Sequence, residues 1–245
     1  MTVVLKLGGS VVTDKETPET VDDAALDAAV ETIAAADVSR LALVHGGGSF
    51  GHHQAEKHGV SLSEGSHDAA GVWAIHDAMR RLNDEVIRRL QDAGVPALPV
   101  HPFSVGARDA DADLVFPLDS SATMLAEGFV PVLHGDVIAQ ADAGATIISG
   151  DELVTRLANG LDADRVGLCS TVPGVYDDDG EVIPEITAFD DVADALGGSE
   201  STDVTGGMAA KVRALLELGA PAHVFGPDAL EAFLAGDAAG TVISG

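Results

Sequence analysis

The chain is short of positive charge. Its 245 residues hold 13 Lys plus Arg against 40 Asp plus Glu, a formal charge of −27 at pH 7. A nucleic-acid binder needs a basic footprint against phosphate, so that class is excluded. Docking on anionic membrane surfaces is disfavoured on the same ground. Cysteine is scarcer still. Cys169 is the only one, which removes an internal disulfide framework and a cysteine-rich zinc site. No run of about 18 apolar residues occurs, so no membrane span is expected. Met1 leads straight into Val3-Val4-Leu5, with no basic stretch ahead of an apolar one. No secretory signal is therefore expected, and a soluble cytoplasmic protein is. Internal repeats, low-complexity tracts and Pro/Ser-rich linkers are also missing.

Apolar material is plentiful. Hydrophobic residues make up 46% of the chain and the mean hydropathy is +0.22, enough for a packed core and not the signature of disorder. Asp occurs 27 times and Glu 13 times, whereas lysine is confined to Lys6, Lys15, Lys57 and Lys211. So acidic a surface suits a high-salt cytoplasm, where ions screen the self-repulsion; the competing reading is an ordinary acidic mesophile protein. A composition that discards lysine keeps it mainly where a cation is needed. Lys57 belongs to no motif and reads as surface.

Patterning predicts alternating elements. Strands are expected at Val3 to Leu7, Leu41 to Val44, Ala97 to Val100, Val130 to Leu133, Arg165 to Leu168, Ala222 to Val224 and Gly240 to Ile243. Helices are expected at Asp22 to Ala36, Ala69 to Asp92, Glu152 to Leu161, Ala209 to Leu218 and Ala229 to Ala235. Asp178-Asp179-Gly180 reads as the turn of a hairpin. Strands alternating with helices predict an α/β fold with a mainly parallel sheet covered on both faces. One continuous domain, residues 1–245, is expected, with two lobes meeting near residue 168.

Five clusters are candidates for chemistry. Lys6-Leu7-Gly8-Gly9-Ser10 closes the first strand, and ligands in open α/β sheets bind off the carboxyl ends of strands. Glycines there let backbone N–H groups approach an anion; the competing reading is an edge-strand lysine before a simple turn. His45-Gly46-Gly47-Gly48-Ser49-Phe50-Gly51-His52 follows the second strand. Gly46, Gly48 and Gly51 satisfy GxGxxG, yet the strand is the second and no acidic residue follows at the expected distance. A phosphate cradle without a dinucleotide fits better, and no Gly-Lys-Ser/Thr makes it a P-loop. His52 is either a ligand of that cradle or an exposed loop histidine. Asp151, after Ser149-Gly150, either caps a helix or orients lysines beside a phosphate. Val172-Pro173-Gly174-Val175-Tyr176-Asp177 follows a later strand. Thr205-Gly206-Gly207-Met208 opens a helix with Lys211 one turn in, and helix N-termini hold phosphates well.

In this combination and order the motifs resemble the amino acid kinase superfamily across essentially the whole chain. His52 closing the glycine segment, and Lys15 in Ser10-Val11-Val12-Thr13-Asp14-Lys15, make it similar to the archaeal-type isopentenyl phosphate kinase branch; fosfomycin-type kinases share the histidine. The resemblance implies an open αβα sandwich, a homodimer, and ATP-dependent phosphorylation of isopentenyl phosphate in an archaeal isoprenoid route, with Mg²⁺ accompanying ATP and no protein metal site. It implies an acceptor lobe over about residues 1–168 and a nucleotide lobe over 169–245. It puts Lys6, Gly8, Gly9 and Ser10 at the ATP phosphates, with Gly48, Asp177, Gly207 and Lys211 also on the nucleotide side. Gly47, His52 and Gly150 would hold the acceptor phosphate, Lys15 would stabilise the transferring group, and Asp151 would organise the lysines.

The chemistry accords with that equipment. Phosphoryl transfer depends mostly on positioning and on cations around the equatorial oxygens. A phosphate-monoester acceptor, with a second pKa near about 6, is largely dianionic at neutral pH and needs no general base. His52 then reads as a hydrogen-bond donor, and the glycine segment has no obvious carboxylate to serve an alcohol. An isoprenoid tail would need an apolar wall, for which Trp73, Ile75, His76 and Met79 are candidates. Three other readings are a fosfomycin-type or other small-acid kinase, a non-catalytic nucleotide sensor, and a dehydrogenase built on the GxGxxG.

Overall fold

The structure, a computed structural model, describes residues 1–197 and 207–245. Thr205 and Gly206 of the last glycine motif lie outside the described residues. The strands are β1 (Thr2–Leu7), β2 (Arg40–His45), β3 (Ala97–Pro99), β4 (Ala107–Arg108), β5 (Leu114–Val115), β6 (Val130–His134), β7 (Asp136–Gln140), β8 (Gly144–Ile148), β9 (Arg165–Cys169), β10 (Glu185–Ile186), β11 (Ala222–Phe225) and β12 (Thr241–Ile243). The α-helices are α1 (Gly9–Val12), α2 (Asp23–Ala35), α3 (Gly48–His58), α4 (Ala69–Asp92), α5 (Pro102–Val105), α6 (Asp119–Ala126), α7 (Gly150–Gly160), α8 (Ala193–Gly197), α9 (Gly207–Leu216) and α10 (Leu230–Ala235).

Eight strands form the main sheet in the order β10-β12-β11-β9-β1-β2-β6-β3. All its pairings are parallel except β11 with β12. The sheet is covered on both faces, as the near-continuous apolar strands require. On one face Val3, Leu5, Leu7, Leu41 and Leu43 pack with residues of α2, α4 and α10. On the other, Val4, Ala42, Val44, Val166 and Leu168 pack with α6, α7 and α9. Leu5 and Leu7 are fully buried, each contributing about 1.5–3 kcal/mol of hydrophobic stabilisation. The helix expected at residues 69–92 forms over its whole length, and Val72, Ile75, Ala78, Met79, Leu82, Val86 and Leu90 are its buried side.

In the strands, two features depart from the sequence reading. A second sheet of four strands, in the order β5-β4-β7-β8, is built around the antiparallel β7–β8 hairpin. The expected hairpin around Asp178-Asp179-Gly180 is reduced to a single bridge, Tyr176 with Val182, because the Asp177 carboxylate captures the N–H groups of Asp179 and Glu181 in a tight local turn.

Candidate active site

The register brings the carboxyl ends of the central strands level. Leu7 lies opposite His45 and Cys169, and His45 opposite His134. Just beyond this line the chain turns away through Gly8, Gly46, Gly135 and Ser170, leaving a cleft of about 630 Å³. Strand alternation decides where Lys6 goes. Val4 faces the α7 side, so Lys6, two residues on, faces it too. It pairs in register with Val44 and Leu168, both apolar residues of that side. An ammonium among such neighbours is costly unless it meets an anion.

Asp151 is that anion. Lys6 Nζ donates to Asp151 Oδ1 at 2.6 Å, and Lys211 Nζ stands 3.8 Å from Oδ2. Three chain regions, β1, α7 and α9, therefore meet on one carboxylate. Burial works against its ionisation, but Lys6 and Lys211 outweigh it and hold its pKa below the ordinary value. Asp151 is not the helix cap. Ser149 caps α7 by accepting from the Glu152 N–H, and the Glu152 carboxylate accepts from the Ser149 N–H in return. Glu152 also binds Arg108 Nη2 at 2.5 Å, which ties α7 to the second sheet. With the cap supplied by its neighbours, Asp151 remains for the lysines.

The two glycine segments meet backbone to backbone. A Cβ on Gly9 would lie 2.2 Å from the Gly48 nitrogen, and one on Gly46 would lie 2.4 Å from the Gly9 nitrogen. Gly48 also sits at φ +48°, where side chains are strained, and its Cβ would strike Thr13 Oγ1 at 2.1 Å. Thr13 Oγ1 instead accepts from the Ser49 N–H at 3.0 Å. The glycine stretch ends sooner than the sequence suggests. Helix α3 starts at Gly48, so His52 stands on a helix and not in a loop, exposed and facing the cleft. The N-termini of α3 and α7 both open at residues that line the cleft, which is where backbone N–H groups suit an anion.

Residues 1–225 match the model of the amino acid kinase family. The chain belongs to the amino acid kinase family. It is 70% identical to the isopentenyl phosphate kinase of Haloferax volcanii over 99% of this chain and 98% of that one. It is 36% identical to the isopentenyl phosphate kinase of Methanocaldococcus jannaschii over 86% and 85% of the two chains. A solved structure described as X-ray structures of isopentenyl phosphate kinase superposes with a TM-score of 0.86 at 28% identity, covering 100% of both chains. The fold is accordingly the α/β amino acid kinase fold, and the chain is a phosphotransferase.

Of the 13 site residues named from sequence, 11 line one cleft of this amino acid kinase: Lys6, Gly8, Gly9, Ser10, Lys15, Gly47, Gly48, His52, Gly150, Asp151 and Lys211. Asp177 is an exposed turn residue apart from it, and Gly207 opens α9 at φ +68° without lining it. Ile75 and Met79 form part of the wall, whereas Trp73 is 58% exposed and His76 is buried against Asp136, Nδ1 to Oδ2 at 2.9 Å. That hydrogen bond raises the His76 pKa. The sequence reading missed the buried polar group behind the cleft. His45 Nε2 lies 3.1 Å from Asn83 Oδ1, and His134 Nε2 lies 3.0 Å from His101 Nδ1. Burial pushes the pKa of both His45 and His134 down, so both are held neutral. The available signal was position: His45 and His134 each end an apolar strand run.

Proposed function

We infer that this chain transfers the γ-phosphoryl group of ATP to isopentenyl phosphate, giving isopentenyl diphosphate and ADP. The observation that carries the acceptor is the 70% identity to the Haloferax volcanii isopentenyl phosphate kinase over nearly the full length of both chains. The geometry supports transfer between anions. An oxygen of the acceptor phosphate attacks Pγ, a new P–O bond forms, and the bond from Pγ to the bridging oxygen of ADP breaks with its electrons going to ADP. The acceptor is already largely dianionic, so no base has to be supplied.

In this reading Lys6, Gly8, Gly9, Ser10, Gly48 and Lys211 serve the nucleotide from the cleft, and Asp177 and Gly207, which lie outside it, are assigned to the nucleotide by the resemblance alone. Gly47, Gly150 and His52 serve the acceptor phosphate, and Lys15 the migrating group. Asp151 is a positioning residue that holds two ammonium groups side by side against their mutual repulsion. In a −27 protein the three cleft lysines form a local positive focus that draws in both anionic substrates. Mg²⁺ belongs to the proposal as the companion of ATP. Asp151 is committed to Lys6 and Lys211, so the residues present fit an ion held by phosphate oxygens and water. Its charge would offset that of the transferring group. An acceptor lobe over about residues 1–168 and a nucleotide lobe over 169–245 belong to the proposal, with Lys6 to Ser10 reaching ATP from the first. A homodimer in a salt-rich archaeal cytoplasm completes the proposal. Trp73, 58% exposed on α4, is a side chain a second copy would cover. No helix among the described residues is long and apolar enough to cross a membrane.

The test is an ADP-release assay in molar KCl with isopentenyl phosphate, fosfomycin and isopentenol offered in parallel. Turnover with isopentenyl phosphate well above the other two is expected. Preference for fosfomycin would replace the acceptor, and no turnover with any of them would leave a nucleotide sensor.

A further inference from the structure

Lys15 lies on an exposed segment between Thr13 and Val21, which bridge one another. It lines the cleft, and its ammonium pairs with no carboxylate among the described residues. A lysine side chain so placed has many rotamers and little to choose among them. Its backbone, however, is fixed at the far end. Glu19 sits at φ +51°, a left-handed conformation uncommon for a residue with a Cβ. Such a conformation persists only where the surroundings over-determine it, and it clusters at functional sites.

The surroundings here do so. The Glu19 N–H donates to the Ser49 carbonyl at 3.2 Å. Arg81 Nη2 of α4 donates to Glu19 Oε2 at 2.7 Å, and Gln54 Nε2 of α3 donates to Oε1. Arg81 is itself held by Asp77 through Nε at 3.2 Å. Ser49 Oγ donates to the Thr20 carbonyl at 3.3 Å, and the Asp14 N–H donates to the Thr20 carbonyl at 3.0 Å. Each of these partners belongs either to the segment itself or to the helices that carry His52, Ile75 and Met79. The Arg81 pair holds the Glu19 carboxyl below its ordinary pKa, followed by the Gln54 hydrogen bond, so the clasp is charged at neutral pH.

We propose that Glu19, gripped by Arg81 and Gln54, is a positioning residue that sets Lys15 over the acceptor side of the cleft. The inference rests on the kinase reading above for its consequence, but the clasp itself does not. The clasp ties the segment carrying Lys15 to α3 and α4, so Lys15 and His52 keep a common frame. It contributes little to global stability, since its ion pair is partly exposed. Its value lies in geometry, where a misplacement of about 1 Å can cost on the order of 100-fold in rate.

The test uses Glu19→Gly, which permits the left-handed backbone and deletes the clasp, in the natural sequence and in Lys15→Ala. The proposal expects kcat with isopentenyl phosphate to fall about tenfold, a fraction of that geometric penalty, with KM for ATP unchanged, and no further fall when Lys15 is already Ala. It also expects faster hydrogen exchange of the amides in residues 14–20, with exchange in the main sheet unaltered. An equal fall in both backgrounds would mark a merely structural role and overturn the proposal. Unchanged exchange at residues 14–20 would overturn it whatever the acceptor. If the natural sequence fails with isopentenyl phosphate while exchange in Glu19→Gly quickens, the acceptor assignment falls and the clasp stands.

Discussion

On the flank of α4, Arg80, Arg81, Arg88 and Arg89 each lie against one or more carboxylates, among them Asp77, Asp84, Glu85 and Asp23. At the cleft the cations are Lys6, Lys15 and Lys211, and no arginine among the described residues lines it. The two regions divide the scarce positive charge by chemistry. Arginine, planar and permanently charged, serves fixed carboxylates at the surface. Lysine, a compact point charge on a flexible stem, lines the cleft, where in the proposed function phosphate would arrive, change partners and leave. A chain with 13 basic residues thus spends three of its four lysines on one cavity.

The sharpest way to break this contrast is Lys6→Ala. Loss of a cation aimed at developing charge lowers kcat by about 100- to 1,000-fold, with the fold retained. Steady-state rates beside a thermal melt check it, and turnover like the natural chain's would dissolve the distinction between the regions. The same variant has a pH signature. Asp151 has its pKa depressed in the folded state, so its stabilisation is present above the unfolded carboxylate value of about 3.9 and is lost as pH falls through the lower folded value. The difference in melting temperature between the two proteins should therefore shrink as pH drops below that range. Melts across the acid range would show it, and a constant difference would mean that the lysines do not govern Asp151.

Lys6→Arg asks whether charge alone suffices. Lys6 Cε passes 3.1 Å from where a Cβ on Gly150 would stand, so the stem runs close against the start of α7. A guanidinium does not fit that passage, and a fall in kcat of about tenfold or more is expected, because Arg and Lys are not interchangeable at a shaped site. Near-normal rates would make the cleft indifferent to the kind of cation. The smallest effect belongs to the flank. Arg88, 58% exposed between Glu85 and Asp92, can become Ala at a cost of no more than about 0.5 kcal/mol with activity unchanged. A denaturant titration measures the first and the kinetic assay the second.

Much of this was legible because it follows local rules. The apolar runs of β1, β2, β6 and β9, and the 3.6-residue spacing along α4, fix a sheet covered on both faces and the edge where glycines gather. The sequence offered Asp151 as a partner for the lysines through the resemblance, but not the contact itself, since 145 residues separate Lys6 from Asp151 and it is the packing of α7 and α9 beside β1 that joins the three. The β7–β8 hairpin escaped because its turn, with Asp142 at φ +63° and Gly144 at φ +83°, carries none of the short dipeptides that announce hairpins. The grip on Glu19 escaped for another reason. Glu19, the start of α3 with Ser49 and Gln54, and Arg81 lie far apart along the chain, and nothing in a lone glutamate announces a left-handed backbone.

The contact of Gly9 with Gly48 has one more consequence. With only main chain between the loop of Gly8 to Ser10 and the start of α3, the two are spaced by no more than a pair of peptide planes. A methyl group at either position would drive them apart by about 1 Å, enough to stretch the gap that an in-line displacement must span. Any opening around substrates is then expected away from this contact, on the side of the cleft that bears Lys211, and not between Gly9 and Gly48.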